Sequence, residues 1–197
     1  MKKRAYTLKM RAESKDATRA RIVAATMALH EEVGPKETTI SAIAERAGVQ
    51  RLTVYRHFPD ETALFHACTS HWLWLNPPPS IDEWGGVADP MARCRTALRA
   101  LYDYYRRTQR MWEVSHRDEA EVVAMQEPMA RFRQYLDSIR DDLLRAVAPA
   151  KREREAVAAT LKHGLQFTTW ASLAADGVKD GAIAELVMKW LGGVRKP

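Results

Sequence analysis

Residues 38–58, TTISAIAERAGVQRLTVYRHF, constrain this chain more than any other stretch, because they read as two short helices broken by a tight turn at Ala47, Gly48 and Val49. Thr39 offers a side-chain N-cap, and Ile40, Ile43 and Ala44 follow at the spacing of one buried helix face. Glu45 and Arg46 fall on the wet side. Gly48 supplies a left-handed backbone conformation that a Cβ would resist, so the chain can reverse within about three residues. The second helix is expected to bury Val49, Leu52 and Val54 and to present Gln50, Arg51, Thr53, Tyr55 and Arg56 outward. Long donors, a short hydroxyl and an aromatic are side chains that reach base edges and phosphates from a helix laid in a major groove.

The pattern T-x-x-x-I-A-x-x-A-G-V-x-x-x-T-x-Y-x-H-F is met by Thr39, Ile43, Ala44, Ala47, Gly48, Val49, Thr53, Tyr55, His57 and Phe58. Ten positions at fixed spacing are far more specific than a bare pair of helices around a glycine. The segment from about Thr18 to Phe65 resembles the DNA-reading module of TetR-family transcriptional regulators, and the remainder is similar to that family in helix layout and length. In such a module the tyrosine and histidine of the signature touch phosphates and the aromatic packs the small domain. That implies phosphate contact for Tyr55, a core place for Phe58, and for His57 either a phosphate contact or a structural hydrogen bond. Gln50 and Arg51 stand where the family reads bases most variably. Arg51 suits a bidentate clamp on guanine, with a phosphate contact as the alternative. Ser41 and the amino end of its helix offer donors to a phosphate. One departure is Glu61, which stands where many members carry a lysine, so that one phosphate contact is lost and Arg56 or the basic amino-terminal arm is left to compensate.

Charge distribution agrees with a nucleic-acid partner. Of the net +6, residues 1–75 hold 12 Lys/Arg against 8 Asp/Glu, and Lys2, Lys3, Arg4, Lys9, Arg11 and Lys15 precede any periodic segment. Such an arm either lies along phosphates or a minor groove, or remains a solvated tail. Two cysteines, Cys68 and Cys94, are too few for a disulfide framework or a zinc site and are expected as buried reduced thiols. No apolar run suggests a signal peptide or a membrane span, so a cytoplasmic location is expected.

The chain reads as all-α, with a basic flexible arm over 1–15, a three-helix helix-turn-helix DNA-binding domain over 16–60, and a larger helical ligand-binding and dimerisation domain over 61–197. A first helix from about Asp16 to Val33 buries Ile22, Val23, Thr26 and Leu29 and stops at Gly34-Pro35. Another starts near Pro59 to Glu61. The run NPPPSIDEWGGVADP, residues 76–90, is expected as an irregular linker. Pro90 opens the next helix, a separate helix spans Gln109 to about Ala124, and one more runs from near Pro128 to Ala148-Pro149. Two last helices cover about Arg152–Ala175 and Lys179–Leu191.

Aromatics are plentiful in the larger domain, and ligand pockets are mostly apolar with a few oriented polar groups. Tyr105, Trp112, Phe132, His163, Phe167 and Trp170 are the candidate ligand-binding residues, with His163, Phe167 and Trp170 sharing one face at i, i+4 and i+7; an ordinary core is the competing account. Beside them Leu161, Leu165 and Thr168, with Leu186 and Trp190 of the last helix, are the candidate dimer interface, since the resemblance implies a four-helix contact between two copies. His116, Asp118 and Glu119 look like a solvated helix face and not a metal site. No nucleophile-base pair, glycine-rich phosphate loop or metal spacing supports catalysis, and no cofactor is expected. The resemblance implies a repressor released from a palindromic DNA operator by a small apolar or aromatic effector. The competing classes are a DNA-binding regulator or architectural factor without a ligand, and an enzyme or carrier using the aromatic cavity.

Overall fold

The computed structural model describes residues 2–195, with side chains from Glu13 onward; among them all regular structure is helical. Two compact units emerge. One comprises the chain up to Asn76 together with Glu113–Met129, and the other comprises Pro77–Trp112 with the chain from Ala130. The expected boundary at 60 is displaced because Leu64 and Ala67, just beyond it, pack into the same core as Ile22, Ile43 and Phe58.

The first unit is built on α1 (Lys2–Val33), α2 (Ile40–Ala47), α3 (Arg51–His57) and α4 (Glu61–Leu75). Helix α1 is longer than expected. Its backbone is helical from Lys2, through the stretch expected as an arm, while the side chains of Lys2, Lys3, Arg4, Lys9 and Arg11 lie outside the described residues. Ile22, Val23, Thr26 and Leu29 are buried as the periodicity requires, and Gly34 at φ +96° ends the helix. Thr39 caps α2 by accepting from Ala42 N at 3.1 Å, and Gly48 turns the chain at φ 64° and ψ 41°. Asp60 caps α4 in the same way, accepting from Ala63 N at 2.7 Å.

The chain from Glu113 to Met129 returns to this unit through the end of α6 (Pro90–Asp118) and the start of α7 (Val123–Val147). Asp118, expected on a solvated face, is buried. Its carboxylate accepts from Lys36 N at 3.1 Å and from the Arg117 guanidinium, and Arg117 Nη2 donates to Val33 O at 2.7 Å. Lys36 Nζ pairs with Glu121 at 2.8 Å. The turn between α6 and α7 is therefore fastened to the turn between α1 and α2. Arg117 beside it, more than burial against it, holds the Asp118 carboxyl below the usual carboxylate range.

In the second unit a short helix, α5 (Asp82–Gly85), interrupts the expected irregular linker because its Trp84 has a place in the core. Trp84 Nε1 donates to Asp142 at 3.2 Å, and Arg93 reaches the same carboxylate at 2.6 Å while donating to Gly85 O at 2.9 Å. The separate helix expected from Gln109 does begin there, since non-helical Thr108 (φ −116°, ψ 15°) divides α6 into two helical segments at a kink, but it ends at Asp118 and not near Ala124. At the kink the buried Thr108 hydroxyl donates to Tyr104 O at 2.6 Å, a back-bond that bends helices. Helix α7 keeps Pro128 in its interior, six residues in, where only the carbonyl of Ala124 loses its partner. The expected helix over 152–175 is two, α8 (Arg154–Gly164) and α9 (Phe167–Ala175), followed by α10 (Asp180–Gly193). Gln166 is extended at ψ 141°, and Tyr102 and Tyr105 donate their hydroxyls to the carbonyls of Gly164 and Leu165 at 2.6 and 2.7 Å. Tyrosines sixty and sixty-two residues away in sequence thus satisfy the carbonyls that the break would leave orphaned.

Candidate nucleic-acid interface and aromatic core

Helix α3 is seven residues long and buries only one of them fully, Val54, against α1, α2 and α4. The rest form an outer face. Gln50, Arg51, Tyr55 and Arg56 are exposed, as is Ser41 on α2. Thr39 is exposed too, with its hydroxyl committed to the α2 cap. Thr53 is half-buried and accepts from Arg56 Nη2 at 3.2 Å, so the two side chains are fixed against each other on the helix. Arg46, the remaining cation of α2, is engaged by Glu32 of α1.

Leu52 departs from expectation. It is 67 % exposed, whereas Val54 is 1 % exposed. Residues two apart on a helix lie about 200° around the axis, so Leu52 and Val54 cannot both face the core. Val49, before the helix, is partly buried against the same core.

His57 is half-buried, and its Nδ1 makes no hydrogen bond among the described residues. Burial first, and then the positive charges of Lys15, Arg56 and Arg19, hold its imidazole below the ordinary histidine value. Phe58 is buried with the Arg19 guanidinium 4.7 Å above its ring. A small core whose short helix α3, with its N-cap Gln50, turns arginines, a glutamine and a tyrosine to solvent is the arrangement of a helix-turn-helix module.

Residues 22–68 match the sequence model of the family described as bacterial regulatory proteins, tetR family. That match covers the helix-turn-helix module and is less than half of the chain. No curated protein sequence matches it. Among solved structures the likeness extends to nearly the whole fold. A TetR-like transcriptional regulator from Rhodococcus sp. RHA1 superposes with a TM-score of 0.65 at 20 % identity, over 89 % of this chain and 93 % of that one. NalD, the secondary repressor of the MexAB-OprM multidrug efflux pump in Pseudomonas aeruginosa, gives 0.59 at 17 % identity, covering 92 % and 96 %. The multidrug binding protein EbrR, complexed with imidazole, gives 0.57 at 15 % identity, covering 91 % and 90 %. At such identities the likeness is one of fold.

The second unit gathers most of the expected ligand residues. Tyr105, Trp112, Phe167 and Trp170 are buried and Phe132 is half-buried. Ring centroids are 4.1 Å apart for Trp112 and Phe132, 5.4 Å for Tyr105 and Phe167, and 5.9 Å for Tyr105 and Trp170. His163 does not join them. The break at Gln166 destroys the i, i+4, i+7 register, leaving His163 exposed with the Trp190 ring 6.3 Å away. Tyr104, not among the expected ligand residues, belongs to the cluster: its ring lies 6.3 Å from Trp112, and its buried hydroxyl closes no hydrogen bond of good geometry with the described residues.

The expected dimer residues divide. Leu161 and Leu165 are buried inside the protomer, Leu165 completely, so neither has surface to offer a partner. Gly164 brings α8 against Val187 of α10. Thr168 and Trp190 are exposed and Leu186 is half-buried. Cys68 and Cys94 are free and buried; burial pushes the Cys68 thiol up to about 12 and the Cys94 thiol to about 11, so neither is a nucleophile at neutral pH. Among the described residues no helix is long and apolar enough to cross a membrane.

Proposed function

We propose that this regulator is a homodimer that occupies a palindromic operator through two copies of α3, represses there, and is released when a small apolar, ring-containing molecule enters the aromatic cluster of the second unit. The observation that carries DNA reading is the outer face of α3, with Gln50, Arg51, Tyr55 and Arg56 exposed on a module that matches the family. The cluster around Tyr105 supports the ligand class, and the fold neighbours named for multidrug binding and efflux repression favour the same type of effector. Helix α6 supports the coupling, because it contributes Trp112 to the aromatic unit and Arg117 and Asp118 to the DNA-binding unit.

Operator binding measured against a panel of apolar aromatic compounds tests this. Phe167→Leu should weaken the ligand response at least tenfold while leaving ligand-free operator affinity within about twofold, since coupling of 1–3 kcal/mol separates the two states. Regulation without a small ligand is the second account, favoured by the 4.1 Å approach of Trp112 and Phe132, which a ligand must part. A panel that never alters operator affinity, with operator binding intact, selects that account.

A further inference from the structure

Resting on the DNA-binding reading, we infer that Leu52 is a base-reading residue, and that it recognises the C5-methyl group of a thymine beside the base pair read by Arg51. Leu52 is the second residue of α3, and the amino-terminal residues of a recognition helix are those that meet base edges. At 67 % exposure it is the most exposed large apolar side chain of the helix-turn-helix, with no protein surface over it. Its neighbours define the occupant by charge. Tyr55 and Arg56, three and four residues on, share its face, and Arg51 precedes it. A leucine set among exposed guanidinium groups is a poor seat for an apolar protein partner and a good one for a polyanion.

Leucine neither donates nor accepts a hydrogen bond, so in a major groove it has one feature to read. Adenine, guanine and cytosine present polar edges there, whereas thymine adds a methyl group. Contact with that methyl removes apolar surface from water on both sides, while an A·T pair in the opposite orientation or a G·C pair sets a polar edge against the leucine. The expected half-site therefore holds a thymine next to the guanine position of Arg51.

Operator duplexes in which each thymine in turn is replaced by deoxyuracil remove one methyl group and nothing else. With the full-length protein, one such replacement per half-site should weaken binding about fourfold, the worth of one buried methyl. The same replacement should be without effect in Leu52→Ala, whose melting midpoint should equal that of the parent because the side chain lies outside the core. Deoxyuracil that costs nothing at any position, or that costs the parent and the variant equally, overturns the assignment. A shifted melting midpoint or altered assembly in Leu52→Ala, with no methyl coupling, makes Leu52 a protein contact and overturns it as well. Absence of binding to any duplex by the parent defeats the DNA-binding reading itself, and the inference with it.

Discussion

Folding changes the titration of His30 in the range between acid and neutral pH. This histidine is buried on α1 between the Phe65 ring, 5.3 Å away, and Cys68, whose thiol is 3.7 Å from Nδ1, and burial lowers its pKa from 6.5 to about 4 against a smaller opposing pull from Asp118. Above about pH 6.5 both folded and unfolded chains are neutral here. Below it the unfolded chain takes up a proton that the folded chain refuses, so stability falls until about pH 4, by about 3 kcal/mol in all. The urea midpoint should drop accordingly between pH 7 and pH 5, and His30→Gln should flatten that drop; an unchanged slope in the variant would show that His30 is protonated in the native state. His57, also lowered, acts with the same sign, whereas the depressed Asp118 carboxyl takes effect at more acid pH. At this scale the sequence is legible where chemistry is local. Thr39 caps and Gly48 turns as their own side chains dictate. Leu52 and Val54 are not separable that way, because two apolar residues on a two-turn helix offer either face and only the packing of α1 and α4 chooses Val54. Asp118 is illegible for a related reason, since its partners Lys36 and Val33 O, reached through Arg117, come from a turn eighty residues earlier.

Among the elements, the α8–α9 break shows how distant side chains override a local signal. No proline and only one glycine interrupts residues 154–175, so periodicity extends one helix across them, yet the hydroxyls of Tyr102 and Tyr105 make two broken turns affordable. Phe167 and Trp170 reach the aromatic cluster because of that break, and His163 loses it for the same reason. Gly164 marks the joint. Its backbone is ordinary, but a Cβ there would stand 2.5 Å from Val187 Cγ1 of α10, closer than carbon atoms pack. Gly164→Ala should therefore lower stability by about 1–3 kcal/mol despite alanine's better helix propensity. Val187→Ala removes the obstructing methyl, so the double variant should recover part of the loss in a urea-melt cycle. Additive losses would place the strain elsewhere. The short helix carrying Trp84 belongs to the same class, because its indole donates to Asp142 of α7.

For the whole molecule, operator recognition by the proposed dimer depends on holding two copies of α3 at half-sites one helical turn apart, about 34–36 Å. An interface with twofold symmetry does this with one patch per protomer. With Leu161 and Leu165 occupied internally, the patch we propose is the outer surface of α9 and α10: exposed Thr168, half-buried Leu186 and Trp190, which is 36 % exposed. Trp190→Glu places charge at the largest of these side chains without touching the core, so the variant should melt as the parent does at low concentration yet sediment as a monomer. Its affinity for a single half-site duplex should be unchanged. On the full operator it should bind about a hundredfold or more weakly, because the second half-site is no longer engaged intramolecularly. A variant that stays dimeric and holds the full operator as the parent does would move the interface away from α9 and α10. One that is monomeric but keeps full operator affinity would instead remove the need for paired α3 helices, and with it the palindromic operator.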